Sequence, residues 1–186
     1  MKKEISNGRK MTKIEVNTDI SDARWQSGIS DVISVIEKVK NATFDYVSKH
    51  KNVPILQNRK PLVISLCLSD DKTVHALNRD FRGMDKPTNV LTFANIDDDD
   101  FDENDNRFAE IELGSIILAY ETMSREADVE KISLEAHFCH LLTHGFLHII
   151  GYDHIKEDEA ELMEGLEVAI LQTLQIANPY AEDEIE

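Results

Sequence analysis

The chain has 186 residues, 41% of them hydrophobic, enough for one core of ordinary size, which excludes wholesale disorder. Its formal charge of −16, from 36 acidic and 20 basic residues, excludes a general polyanion-binding surface and leaves any nucleic-acid contact to a local positive site. No apolar run approaches the roughly 18 residues of a membrane span, the basic start MKKEISNGRK has no apolar signal core, and two distant cysteines, Cys67 and Cys139, read as buried side chains in a reducing cytoplasm.

Residues 1–11 read as a polar N-terminal extension and 12–180 as a single domain. TKIEVNTDI alternates apolar and polar residues, which predicts a half-buried strand. From Ser27 to Ser48, Ile29, Val32, Ile33, Ile36, Val39 and Val47 recur at helical spacing. A loop containing Pro54 leads to PLVISLCL (61–68), a short apolar run expected to be a buried strand. Ser69 or Asp70 then caps a helix reaching Phe81, with Val74, Leu77 and Phe81 on its apolar face. RGMDKPT (82–88) is a turn and NVLTF a further strand.

Residues 97–105, DDDDFDEND, hold seven carboxylates and read as a solvated, mobile loop pointing outward, because such charge density repels itself when packed. ELGSIILAY (112–120) is the last strand, followed by a short helix from Glu121 to Val129. A central helix runs from its Ser133 cap to Ile150. The final amphipathic helix covers Glu157 to Gln175, led by Leu162, Leu166, Ala169, Ile170 and Leu174, and an acidic tail, 181–186, closes the chain.

The most informative stretch is HFCHLLTHGFLHIIGYDH (137–154). At helical pitch His137, His140, His144 and His148 share one stripe, while Phe138, Leu141, Leu142, Phe146, Leu147, Ile149 and Ile150 fill the remaining surface. A helix this apolar is buried, so its histidines need partners other than water. Side chains four residues apart stand about 5–6 Å from each other, close enough for two imidazoles to converge on one ion. Gly151 permits a left-handed helix end that returns His154 to the same point.

The resulting H-x3-H-x5-H spacing matches the ligand set of metzincin proteases, but Gly145 stands where those enzymes carry their glutamate base. Three neutral imidazoles leave one coordination position open, the mark of a catalytic zinc, with nickel or cobalt also compatible. Asp153 either orients a ligand or caps the next helix, His137 and His140 read as hydrogen-bonded core residues, and His50 and His75 as surface or packing positions.

NRDFRGMDKPTNVLTF (78–93), LGSIIL (113–118) and HGFLHIIGYDH (144–154) together resemble the YbeY family of bacterial endoribonucleases and rRNA maturation factors. The resemblance implies an α+β fold, a small mixed β-sheet flanked by about five helices, with a zincin-like central metal-binding helix. It also implies one Zn2+ ion on His144, His148 and His154 and a functional arginine at Arg82. As activity it implies single-strand-specific RNA cleavage in 16S rRNA 3′-end maturation and ribosome quality control, with the small ribosomal subunit or its proteins as partner. One position departs from the family pattern: Ser115 follows Leu113-Gly114 where an aspartate is usual. Two other readings use the same residues, a non-catalytic assembly factor with a structural metal, and a metal hydrolase of peptides or small molecules.

Overall fold

The computed structural model describes residues 12–181, so the expected N-terminal extension and nearly all of the acidic tail lie outside the described residues. Four strands, β1 (Ile14–Ile20), β2 (Leu62–Ser69), β3 (Val90–Ala94) and β4 (Ile111–Ala119), form one sheet in the order β1-β2-β4-β3. β1, β2 and β4 are parallel and β3 is antiparallel to β4, a mixed sheet in an α+β fold, as the sequence implies. β2 lies inside the sheet: Leu62, Ile64, Leu66 and Leu68 on its core face are almost wholly buried, while on the other face Val63 is buried, Ser65 exposed and Cys67 half-buried.

Six α-helices surround the sheet: α1 (Arg24–Gly28), α2 (Val32–His50), α3 (Asp71–Arg82), α4 (Tyr120–Glu130), α5 (Leu134–Ile149) and α6 (Glu157–Thr173). The expected helix 27–48 is two helices. Asp31 adopts a left-handed conformation (φ 48°) and its carboxylate accepts the Ser34 N–H, so the chain breaks before α2 starts. This break puts Ile33 on the solvent side and seats Val35 in the core instead. Trp25 of α1 is wholly buried and donates its indole N–H to the Ser69 carbonyl at 2.9 Å.

One face of the sheet is covered by α2, α5 and α6, whose Ile36, Val39, Phe138, Phe146, Leu166 and Ile170 join Leu66, Ile116 and Leu118 in the main core. The opposite face carries a smaller cluster, in which Val74 and Leu77 of α3 pack on Leu91, Ile117 and Ala119. Phe81, expected on that same apolar face, is 71% exposed, at the last turn of α3 beside Phe93 of the edge strand β3.

The acidic segment is fastened rather than free. Asn58 and Lys60 donate to the carbonyls of Glu103 and Asp105, and Phe101 packs against the main core. Its carboxylates are mostly exposed, as their mutual repulsion requires.

A β-bulge shifts the β2–β4 register between Val63 and Ile64 and lets both Leu113 and Ile116 face inward. Gly114 sits in that bulge with φ +136°, and a Cβ there would stand 2.0 Å from the Phe93 carbonyl oxygen. No other residue fits. Gly114→Ala is expected to lower the unfolding free energy by about 1–3 kcal/mol, read as a reduced urea midpoint; an unchanged midpoint would show that the bulge relaxes freely.

Candidate metal centre

Ser133 starts α5 by accepting the Ala136 N–H at 3.1 Å, and sixteen helical residues follow, most of them buried against the sheet and α2. His144 and His148 are partly buried and lie one above the other, with ring centroids 4.5 Å apart. The helix ends at Ile150, Gly151 turns the chain at φ +92°, and His154 swings back to 5.3 Å from the His144 ring and 5.0 Å from the His148 ring. One nitrogen from each of the three lies within 4.8 Å of the others. The helix spacing and the glycine break thus bring together the three histidines singled out from the sequence.

The outer nitrogens of two rings are already committed. Glu167 Oε1 lies 2.8 Å from His144 Nδ1, and the Tyr152 carbonyl lies 2.8 Å from His148 Nδ1. Both acceptors are oxygens without a proton to give, so each ring donates from Nδ1 and turns Nε2 inward. These two Nε2 atoms are 3.0 Å apart. Burial and the neighbouring His144 and His154 push the His148 imidazolium down to about 4, so the ring is neutral at pH 7 and presents a lone pair. Two nitrogens aimed at each other across 3.0 Å need a proton or a cation between them. The donor set therefore fits a divalent metal that accepts imidazole.

Glu167 was not legible as a site residue, yet it organises this centre. It is 1% exposed and accepts from His144, from His140 Nε2 at 2.8 Å, and from the Tyr180 hydroxyl. Burial alone would raise its carboxyl, but the donors from His140, His144 and Tyr180 outweigh that and hold it down at about 2. The expected stripe of α6 began at Leu162, which is 44% exposed; the buried stripe is Met163, Leu166, Glu167, Ile170 and Leu171. A glutamate at the helical i+4 position of an apolar stripe is the signal that would have found it.

The remaining histidines serve as packing groups. His137 is buried against Glu126 at 2.9 Å, His75 pairs with Asp85 at 2.8 Å on the surface, and the His50 ring lies 4.4 Å from Tyr46. Asp153 does not cap α6; its carboxylate accepts the backbone N–H of His154 at 2.8 Å. Cys139 is buried, and desolvation pushes its thiol up to about 12, far from the thiolate a metal needs.

Arg82, at the C-terminal end of α3, lines a cavity of about 220 Å³ with Thr92, Asp97, His148, Asp153 and Ile155. Its Nη2 donates to the Thr92 carbonyl at 3.3 Å, and among the described residues it has no carboxylate partner. Thr92 also keeps its hydroxyl oxygen buried without a protein partner. Asp97 corrects the expectation for the acidic stretch at one point, since this first carboxylate residue faces the cavity although the rest of the segment does not. Asn78 is buried and donates to the Lys86 carbonyl at 2.8 Å, which fixes the turn after Arg82. Ser115 lies on the sheet face opposite α5, between Ser65 and Phe93, and makes no approach to the histidines. Gly145 packs against Ile116, whose Cγ2 would stand 3.0 Å from a Cβ at that position, so any larger residue there would press on the Ile116 side chain.

The family model described as Endoribonuclease YbeY matches residues 13–175 of the chain. This chain belongs to the YbeY family. The Endoribonuclease YbeY of Sphingopyxis alaskensis is 51% identical over 131 residues, covering 69% of this chain and 78% of the relative. That of Rhizobium meliloti is 38% identical over 172 residues, 92% of this chain and 98% of the relative. The solution structure of TM1509 from Thermotoga maritima is similar in fold, with TM-score 0.51 and 20% identity over 92% of this chain and 99% of that one. The matched span contains both Arg82 and the histidine motif.

Because Glu167 fixes the orientation of His144, Glu167→Ala is expected to weaken zinc binding by about 10–100-fold in competition with a chromophoric chelator. Glu167→Gln, which keeps an acceptor oxygen, loses less. Equal affinity in the alanine variant would show that His144 needs no such support.

Proposed function

We propose that this chain is a zinc-dependent, single-strand-specific endoribonuclease acting in 16S rRNA 3′-end maturation and ribosome quality control in the cytoplasm, with rRNA and the small ribosomal subunit or its proteins as partners. The observation that carries the reading is the pair of inward-facing Nε2 atoms on His144 and His148, with His154 beside them and Arg82 across the same cavity. The relatives' printed name, Endoribonuclease YbeY, supplies the reaction class. No described helix is long and apolar enough to cross a membrane.

His144, His148 and His154 hold the ion, and a zinc ion held there supplies Lewis acidity and brings water into its deprotonation range near neutral pH. Arg82 binds the scissile phosphate. Among the described residues one of its N–H groups is engaged, on the Thr92 carbonyl, which leaves others to grip phosphate oxygens and to stabilise the charge that develops on them. Of the two carboxylates on the cavity wall, Asp97 and Asp153, Asp97 is assigned the proton of the attacking hydroxyl, because Asp153 already accepts the His154 N–H. The local positive charge of ion and guanidinium reconciles an anionic substrate with a chain of charge −16.

The alternative of a docking factor with a structural metal is disfavoured by ligand count. Structural zinc sites are normally closed by four protein ligands, whereas the described residues bring only three donors together. The peptide-hydrolase alternative lacks its glutamate, since Gly145 faces Ile116.

The purified protein is expected to hold about one equivalent of zinc, and His148→Ala to lose both the metal and cleavage of single-stranded RNA. Arg82→Glu keeps its zinc and fold yet fails to process precursor rRNA, assayed with and without ribosomes. Processing that survives both substitutions would reject the nuclease reading in favour of the docking factor.

A further inference from the structure

We propose that Phe81 is a stacking platform for an unpaired nucleobase next to the phosphate held by Arg82, an inference that rests on the endoribonuclease reading. The periodicity of α3 places Phe81 with Val74 and Leu77, and those two are packed beneath the sheet, but Phe81 is 71% exposed. It packs against Phe93 of β3, at 5.7 Å between centroids and 70° between planes, which steadies the ring while most of it stays in solvent.

The ring's backbone is fixed. The Gly83 N–H donates to Arg79 and the Met84 N–H to the Asn78 carbonyl, while Asn78 itself is anchored on Lys86. An exposed aromatic held on a stiff helix end loses little conformational freedom when a flat partner settles on it.

Its position ties it to the candidate centre. Arg82 follows it in the chain, and the carbonyl that Arg82 grips belongs to Thr92, the neighbour of Phe93. Base and phosphate are joined through a single sugar, so a strand with a phosphate at Arg82 brings an adjacent base within reach of Phe81. Ile155, 83% exposed, lines the cavity that holds Arg82.

Stacking also answers the charge problem. Every base has a π-face, and its attraction to an aromatic ring does not depend on the net charge of the protein. Bases inside a duplex already have both faces covered, so Phe81 accepts only unpaired ones. The platform thereby supplies the single-strand preference, which neither the ion nor Arg82 can supply by gripping phosphate.

The test measures binding of a fluorescent 2′-O-methyl single-stranded oligonucleotide, and of its duplex, to the zinc-loaded protein by anisotropy. Phe81→Ala is expected to weaken single-strand binding about tenfold, to leave the weak duplex binding unchanged, and to retain zinc and the urea midpoint. Phe81→Trp restores affinity, and its indole fluorescence is quenched by the single strand, against the constant background of buried Trp25. Equal single-strand affinity in Phe81→Ala, with Arg82→Ala weakened, overturns the platform and leaves the nuclease reading standing; a protein partner would then be the occupant of Phe81. A wild-type protein without affinity for single strands overturns both.

Discussion

Two imidazole nitrogens held 3.0 Å apart on consecutive turns of a buried helix are the constraint around which this molecule is organised. Left to themselves, two lone pairs at that distance repel, and the surrounding structure prevents their escape. Glu167 holds one ring from behind, the Tyr152 carbonyl holds the other, and the turn at Gly151 delivers His154 to the same point. A cation between them would relieve that repulsion, and folding energy would in that way become metal affinity. Support for the ligands reaches far along the chain: Tyr180, beyond the last helix, donates to Glu167, and His140 does so from one turn earlier on α5.

An acidic protein that handles RNA must confine its positive potential to a small region. The described structure keeps most of its acid away from the site, with Asp97 and Asp153 as the carboxylates on the cavity wall. Carboxylates of the 97–105 segment are mostly exposed, and the segment is tied down by Asn58 and Lys60 and by Phe101 in the core. Arg82, by contrast, is free of carboxylate partners among the described residues and shares its cavity with His148. The antiparallel edge strand β3 joins these parts, because Thr92 meets Arg82 on its open edge while Gly114 of β4 lies close beneath Phe93.

How much of this was legible in the sequence depends on the range of the interaction concerned. The histidine trio was readable because helical pitch and one glycine, both local, determine where His144, His148 and His154 lie. The buried β2 and the Ser133 cap were readable for the same reason. The break before α2 was missed because Asp31 takes a left-handed conformation that apolar spacing does not encode. Phe81 was misplaced because periodicity gives the face of a helix but not how much of that face its neighbours cover. Glu167 was missed because the stripe on α6 was started one residue early, at Leu162, which put a core carboxylate on the apparent solvent side. Its partners His140 and His144 lie more than twenty residues away in sequence, and only the packing of α5 on α6 joins them.

The central claim concerns proton positions, and nitrogen NMR of the histidine rings reads these directly. The account predicts that Nδ1 of His144 and of His148 carries the proton both without metal and with it, and that one equivalent of zinc shifts their Nε2 signals together with one nitrogen of His154. Signals that show either ring ligating through Nδ1, or Nε2 resonances indifferent to zinc, would contradict it.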